Sequence, residues 1–128
     1  MKNSIVLLFL VFSFSTFAQQ TEKITTKKCI PKKGYHLKLV KVFDDSRCPQ
    51  GVTCIWAGEV SVMIEIYKDK KFVEEKTLTF NSKNKEENNV FFEKYYSKKT
   101  QSISVEPYPK DGEKIQSKKQ FIKIVFVE

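Results

Sequence analysis

The chain is expected to fold as one all-β domain, an antiparallel β-sandwich of the immunoglobulin-like kind, with a barrel as the alternative. Three observations lead there. Apolar residues recur with period two in several short runs, the spacing at which side chains share one face of a strand. Polar or Gly/Pro-containing turns separate those runs roughly every eight to twelve residues, as in sandwiches and barrels. The last run, Gln120 to Val127, is apolar on both faces apart from Lys123. Such a strand belongs in the middle of a sheet under cover, which favours two packed layers.

Taken in order, Tyr35, Leu37 and Leu39 alternate with polar residues, and the phase then switches to Val40 and Val42, as at a β-bulge. Glu59 to Lys68 is the cleanest strand, with Val60, Val62, Ile64 and Ile66 on one face and Ser61, Met63, Glu65 and Tyr67 on the other. Asp69-Lys70-Lys71 is expected to turn the chain into a second strand over Phe72–Phe80. Asn81 to Asn89 reads as an exposed polar loop. Val90-Phe91-Phe92 with Tyr95-Tyr96 is read as a short strand or one helical turn. Ser102 to Val105 is strand-like and stops at Pro107-Tyr108-Pro109, and Lys110-Asp111-Gly112 is a turn. Six to eight strands are expected in all.

The start of the chain reads as an export signal. Lys2 precedes the apolar run Ile5–Phe14, and Ser15-Thr16-Phe17-Ala18 is a small-residue exit, so residues 1–18 form a signal peptide cleaved after Ala18. The run is about half the ~20 residues that span a bilayer, and no transmembrane segment is expected. Cys29 lies too far past Ala18, behind Lys27-Lys28, to be a lipidation site. Residues 19–34 are read as an N-terminal extension and 35–128 as the sandwich, in a secreted or periplasmic protein.

Loss of Lys2 with the signal leaves a net charge of +7. All but one of the cations are lysines, spread along the chain and interleaved with glutamates. Base and phosphate readers lean on the planar fork of arginine, so no specific nucleic-acid binding is expected. The charge suits a solvated surface, with weak attraction to anionic glycans or headgroups as the functional alternative. Export also places the three cysteines in an oxidising compartment. Cys48 and Cys54 enclose Pro49 and Gly51 and are the first choice for a disulfide, with Cys29 the remaining partner for either.

The segment Asp44 to Glu59 concentrates the chain's only arginine, its only tryptophan, two of its three cysteines and two of its four glycines. Rare, shape-demanding residues this close together mark a loop held in one conformation. In a structural reading, Trp56 and Cys54 lie two apart and share a face, forming a disulfide-on-indole plug. Gly58 permits a close approach, and the Arg47 fork holds Asp44, Asp45, Glu59 or backbone carbonyls. In a functional reading, Asp45, Arg47, Trp56 and Glu59 form a rigid binding surface, Arg47 meeting a carboxylate or phosphate and Trp56 stacking on the ligand.

No metal and no cofactor is expected. Asp44, Asp45 and Glu59 offer oxygen ligands at a spacing that fits no calcium loop. Cys29, His36, Cys48 and Cys54 lack the short spacing of metal-binding pairs. His36 is the only histidine and reads as a strand residue. No nucleophile elbow, zinc-protease helix or phosphate-cradling glycine loop is present, so an enzyme is not expected.

The run Asp45-Ser46-Arg47-Cys48-Pro49-Gln50-Gly51-Val52-Thr53-Cys54-Ile55-Trp56-Ala57-Gly58-Glu59 resembles a motif of an uncharacterised family of small secreted or lipid-anchored bacterial β-proteins. The resemblance extends to Ile103-Ser104-Val105-Glu106-Pro107-Tyr108-Pro109 and the strand Phe121–Val127. It implies an exported β-domain whose paired cysteines correspond to Cys48 and Cys54, and carries no activity with it. The expectation is therefore a non-enzymatic binding or envelope accessory module acting through loop 44–59. Its partner would be an envelope or extracellular protein or an anionic glycan. The rivals are a purely structural envelope domain and an inhibitor of a secreted hydrolase, whose target would have to be acidic or neutral.

Overall fold

Two three-stranded antiparallel sheets face each other across one apolar core, and they do not close into a barrel. The computed structural model describes residues 19–27 and 29–127; the expected signal peptide, 1–18, lies outside them. The first sheet has the order β2 (Tyr35–Phe43), β3 (Val60–Lys68), β4 (Lys71–Phe80). The second runs β1 (Thr21–Ile24), β6 (Phe121–Phe126), β5 (Thr100–Glu106). One helix, α1 (Lys85–Tyr96), connects β4 to β5.

β3 behaves as its pattern demands. Val60, Val62, Ile64 and Ile66 are buried, while Met63, Glu65 and Tyr67 are half-exposed between them. Ser61 is buried as well, its hydroxyl 3.0 Å from that of Thr79 on β4. The β2–β3 register slips between Leu39 and Lys41, so Val40 is the bulge that the phase change announces. Asp69 and Lys70 both adopt positive φ in the β3–β4 turn, the handedness that matches strand twist in a two-residue hairpin.

β6 lies between β1 and β5, in the centre of its sheet as expected. Its inner face buries Ile122, Ile124 and Phe126. The outer face, Phe121, Lys123 and Val125, is only half-covered, so full burial on both sides does not hold. Its cover is local: the Lys23 ammonium sits 5.1 Å over the Phe121 ring. β1 falls within the stretch expected as an extension, yet it pairs with β6 and places Ile24 in the core.

The largest departure is α1, which occupies the stretch read as a polar loop followed by a short strand or single turn. Asn88, Phe91, Phe92, Tyr95 and Tyr96 recur at helical spacing. Phe92 is fully buried and stacks on Phe80 with ring centres 6.4 Å apart. Asn88, also buried, donates its amide to the Thr79 carbonyl at 2.9 Å. The side-chain carbonyl of Asn81 accepts the backbone N–H groups of Lys83 and Asn84, both at 2.9 Å, and turns the chain off β4 into the helix. Among the described residues no helix is long and apolar enough to cross a membrane.

Candidate functional site

Loop 44–59 joins β2 to β3 in one sheet but is tied to the end of β5 in the other. Its two limbs pair with each other: Ser46 N–H donates to the Glu59 carbonyl at 2.8 Å, and Cys48 N–H donates to the Ala57 carbonyl at 3.2 Å. Gly58, at φ +73°, lies where those limbs press closest. A Cβ there would sit 1.9 Å from the Ser46 carbonyl oxygen, so only glycine fits. Beyond this neck Cys48 and Cys54 form a disulfide, with Cα atoms 5.9 Å apart, and Cys29 is exposed and free. The ring it closes is short, and its main effect is to hold the tip in shape.

Arg47 fastens the loop across the sandwich. Its Nε and Nη2 donate to Asp45 Oδ1 at 2.9 Å and Oδ2 at 2.7 Å, a bidentate pair of the stronger kind. Nη1 donates to the Val105 carbonyl of β5 at 2.5 Å. The Tyr108 ring covers the guanidinium at 5.1 Å, and the Tyr108 hydroxyl donates to the Cys48 carbonyl at 2.8 Å. A one-residue parallel bridge between Gln50 and Lys110 completes the attachment. Burial raises the Asp45 carboxyl pKa, but the hydrogen bonds and charge of Arg47 outweigh it and hold the group below its ordinary value.

The sequence-predicted residues therefore divide. Asp45 and Arg47 meet each other, and the Arg47 fork holds Asp45 and a backbone carbonyl, as the structural reading of the loop has it, and not a ligand as in the functional one. Glu59 starts the outgoing limb and accepts a hydrogen bond from Asn81 Nδ2 at 3.0 Å. Trp56 does not form a plug on the disulfide: the indole is 67% exposed and Cys54 is itself at the surface. Ile55 beside it is fully exposed, at 105%, and Val52 is 42% exposed. Trp56, Glu59, Asn81 and Lys83 border a cleft of about 250 Å³ between the loop and the start of α1.

Two residues of this region escaped the sequence reading. Tyr108 carried a signal, since its Pro-Tyr-Pro context was singled out, but nothing in one dimension puts it on Arg47. Asn81 carried none, being one of several asparagines in a polar stretch. Among the described residues no group of three or more His, Cys, Asp or Glu side chains is placed to hold a metal ion. His36, half-buried on β2 opposite Tyr67, is held below its ordinary pKa by burial. Comparison with protein-family models, curated proteins and solved structures finds no match to this chain.

Proposed function

We propose that the chain is an exported, non-enzymatic β-sandwich module that binds a ligand of the cell envelope through the tip of loop 44–59. The observation that carries the reading is a contrast within the loop. Its base is fixed by the limb pairing, the disulfide, the Arg47–Asp45 clamp and the Tyr108 bond, yet Ile55 and Trp56 face solvent. A large apolar side chain left outward on a rigid support is the arrangement by which anchor residues enter a partner. Preorganisation of this kind removes much of the ordering cost of binding. The disulfide fits an oxidising compartment outside the cytoplasm.

The enclosed Arg47 also favours a second reading, in which the loop only straps the two sheets together. One comparison separates them. The double variant Ile55→Ala/Trp56→Ala should lose association of the purified protein with isolated cell envelopes while its melting temperature stays unchanged. Arg47→Ala should lower the melting temperature first. Unchanged association of the double variant, or no association of the parent protein, would favour the strap.

A further inference from the structure

Two clefts meet at Asn81. One, of about 250 Å³, carries Trp56, Glu59 and Lys83. The other, of about 310 Å³, continues along α1 and β5 past Phe80, Lys85, Asn89 and Ser102. The first lies below the ~300 Å³ floor of small-molecule pockets and the second only just above it, so an extended occupant that passes Asn81 and uses both gains the most contact. The second cleft runs beside β5, an edge strand of its sheet, but both ends of that edge are engaged, the Thr100 N–H by Glu93 and the Val105 carbonyl by Arg47, which argues against an added peptide strand. The chain's sole arginine is held by Asp45 and Val105, which argues against a nucleic acid.

Asn81 stands at the junction with a defined remainder. Its Oδ1 accepts two backbone N–H groups and one Nδ2–H serves Glu59, leaving one amide N–H for a ligand. The Asn89 amide and the Ser102 hydroxyl lie farther along the second cleft. At the opposite end the exposed indole offers a flat apolar face. Lys83 and Lys85 are exposed and in no ion pair among the described residues, whereas Glu59 is already hydrogen-bonded. Amides and a hydroxyl for ring hydroxyls, an aromatic plate for the apolar face of a pyranose, and two free ammonium groups make one coherent set. We infer that the two clefts together bind an acidic oligosaccharide, a sugar ring stacked on Trp56 and its carboxylates met by Lys83 in one cleft and Lys85 in the other.

The inference rests on the outward-facing loop proposed above and names its ligand class. Because Trp56 is the only tryptophan, its fluorescence reports on this site alone. The purified chain is titrated with an oligogalacturonide, with a neutral oligosaccharide of equal length, and with polyphosphate. The acidic oligosaccharide should shift the emission saturably, and the neutral one should bind about tenfold or more weakly. Polyphosphate should leave the emission unshifted. Lys83→Ala/Lys85→Ala, at exposed positions, should bring acidic binding down to the neutral level. By calorimetry, Trp56→Phe should retain binding that Trp56→Ala loses. Equal affinity for the neutral sugar, the same saturable shift with polyphosphate, or no saturation would overturn the inference. If envelope association still depends on Ile55 and Trp56 in that event, the binding module stands and only its ligand class is wrong.

Discussion

At the scale of single residues, Gly58 and Gly51 make an instructive pair. Both have positive φ, +73° and +89° respectively, a region that other L-residues enter at a cost. Around Gly51 a Cβ meets nothing within 4 Å, whereas at Gly58 it strikes the Ser46 backbone. Gly51→Ala should therefore cost only the conformational term, about 1 kcal/mol. Gly58→Ala adds the separation of the two loop limbs and should cost about 3 kcal/mol or more. Urea denaturation midpoints measure both, and equal losses would mean that the neck relaxes freely. The glycines were legible as loop residues, but their inequality was not, because it depends on Ser46 lying opposite one of them.

Among the elements, α1 shows how a helix can hide in a sequence. Its stripe of Asn88, Phe91, Phe92, Tyr95 and Tyr96 is regular, but the first half of the helix, Lys85 to Asn89, is wholly polar. The aromatic half alone spans too few turns to declare a period. Burial decides the matter: Phe92 reaches the core between Phe80 and Phe91, and the Asn88 amide satisfies the Thr79 carbonyl at the end of β4. Phe92→Ala should lower stability by about 3–5 kcal/mol, the range for truncating a buried phenylalanine. A loss near zero in a thermal or urea melt would show that α1 is not part of the core. β3, by contrast, was readable residue by residue, since its period-two pattern coincides with a single buried face.

For the molecule as a whole, acid should weaken the fold in two steps. Burial holds the His36 imidazole below its ordinary value of 6.5. Asp45, raised by burial but lowered more by Arg47, lies below its ordinary 3.8. For each group the unfolded chain binds the proton more readily, so stability present above the unfolded pKa is lost as pH falls through the folded one. The first decline should begin below pH 6.5 and vanish in His36→Gln. The second, to which Glu93 also contributes because its hydrogen bonds from Thr100 hold its carboxyl low, should begin below pH 4.5 and shrink in Asp45→Asn, at the price of a weaker clamp. Urea midpoints measured from neutral pH down to about pH 3 test the order of the two steps. A parent protein whose midpoint does not fall below pH 6.5 would contradict the first.

The division of labour between chain and fold follows from range. Local pattern determined the all-β class, the strand identities of β3 and β6, the bulge at Val40 and the special status of loop 44–59. Each rests on residues a few positions apart, where periodicity and backbone preference act directly. Only the tertiary structure decided that Arg47 binds across to Val105 and Tyr108, that Trp56 faces outward, and that Asn81 joins two clefts. The partners of those contacts are 58 and 61 residues apart for Arg47 with Val105 and Tyr108, and 22 apart for Asn81 with Glu59. Which of them meet is set by how the two sheets pack over a shared core, and no spacing along the chain encodes that directly.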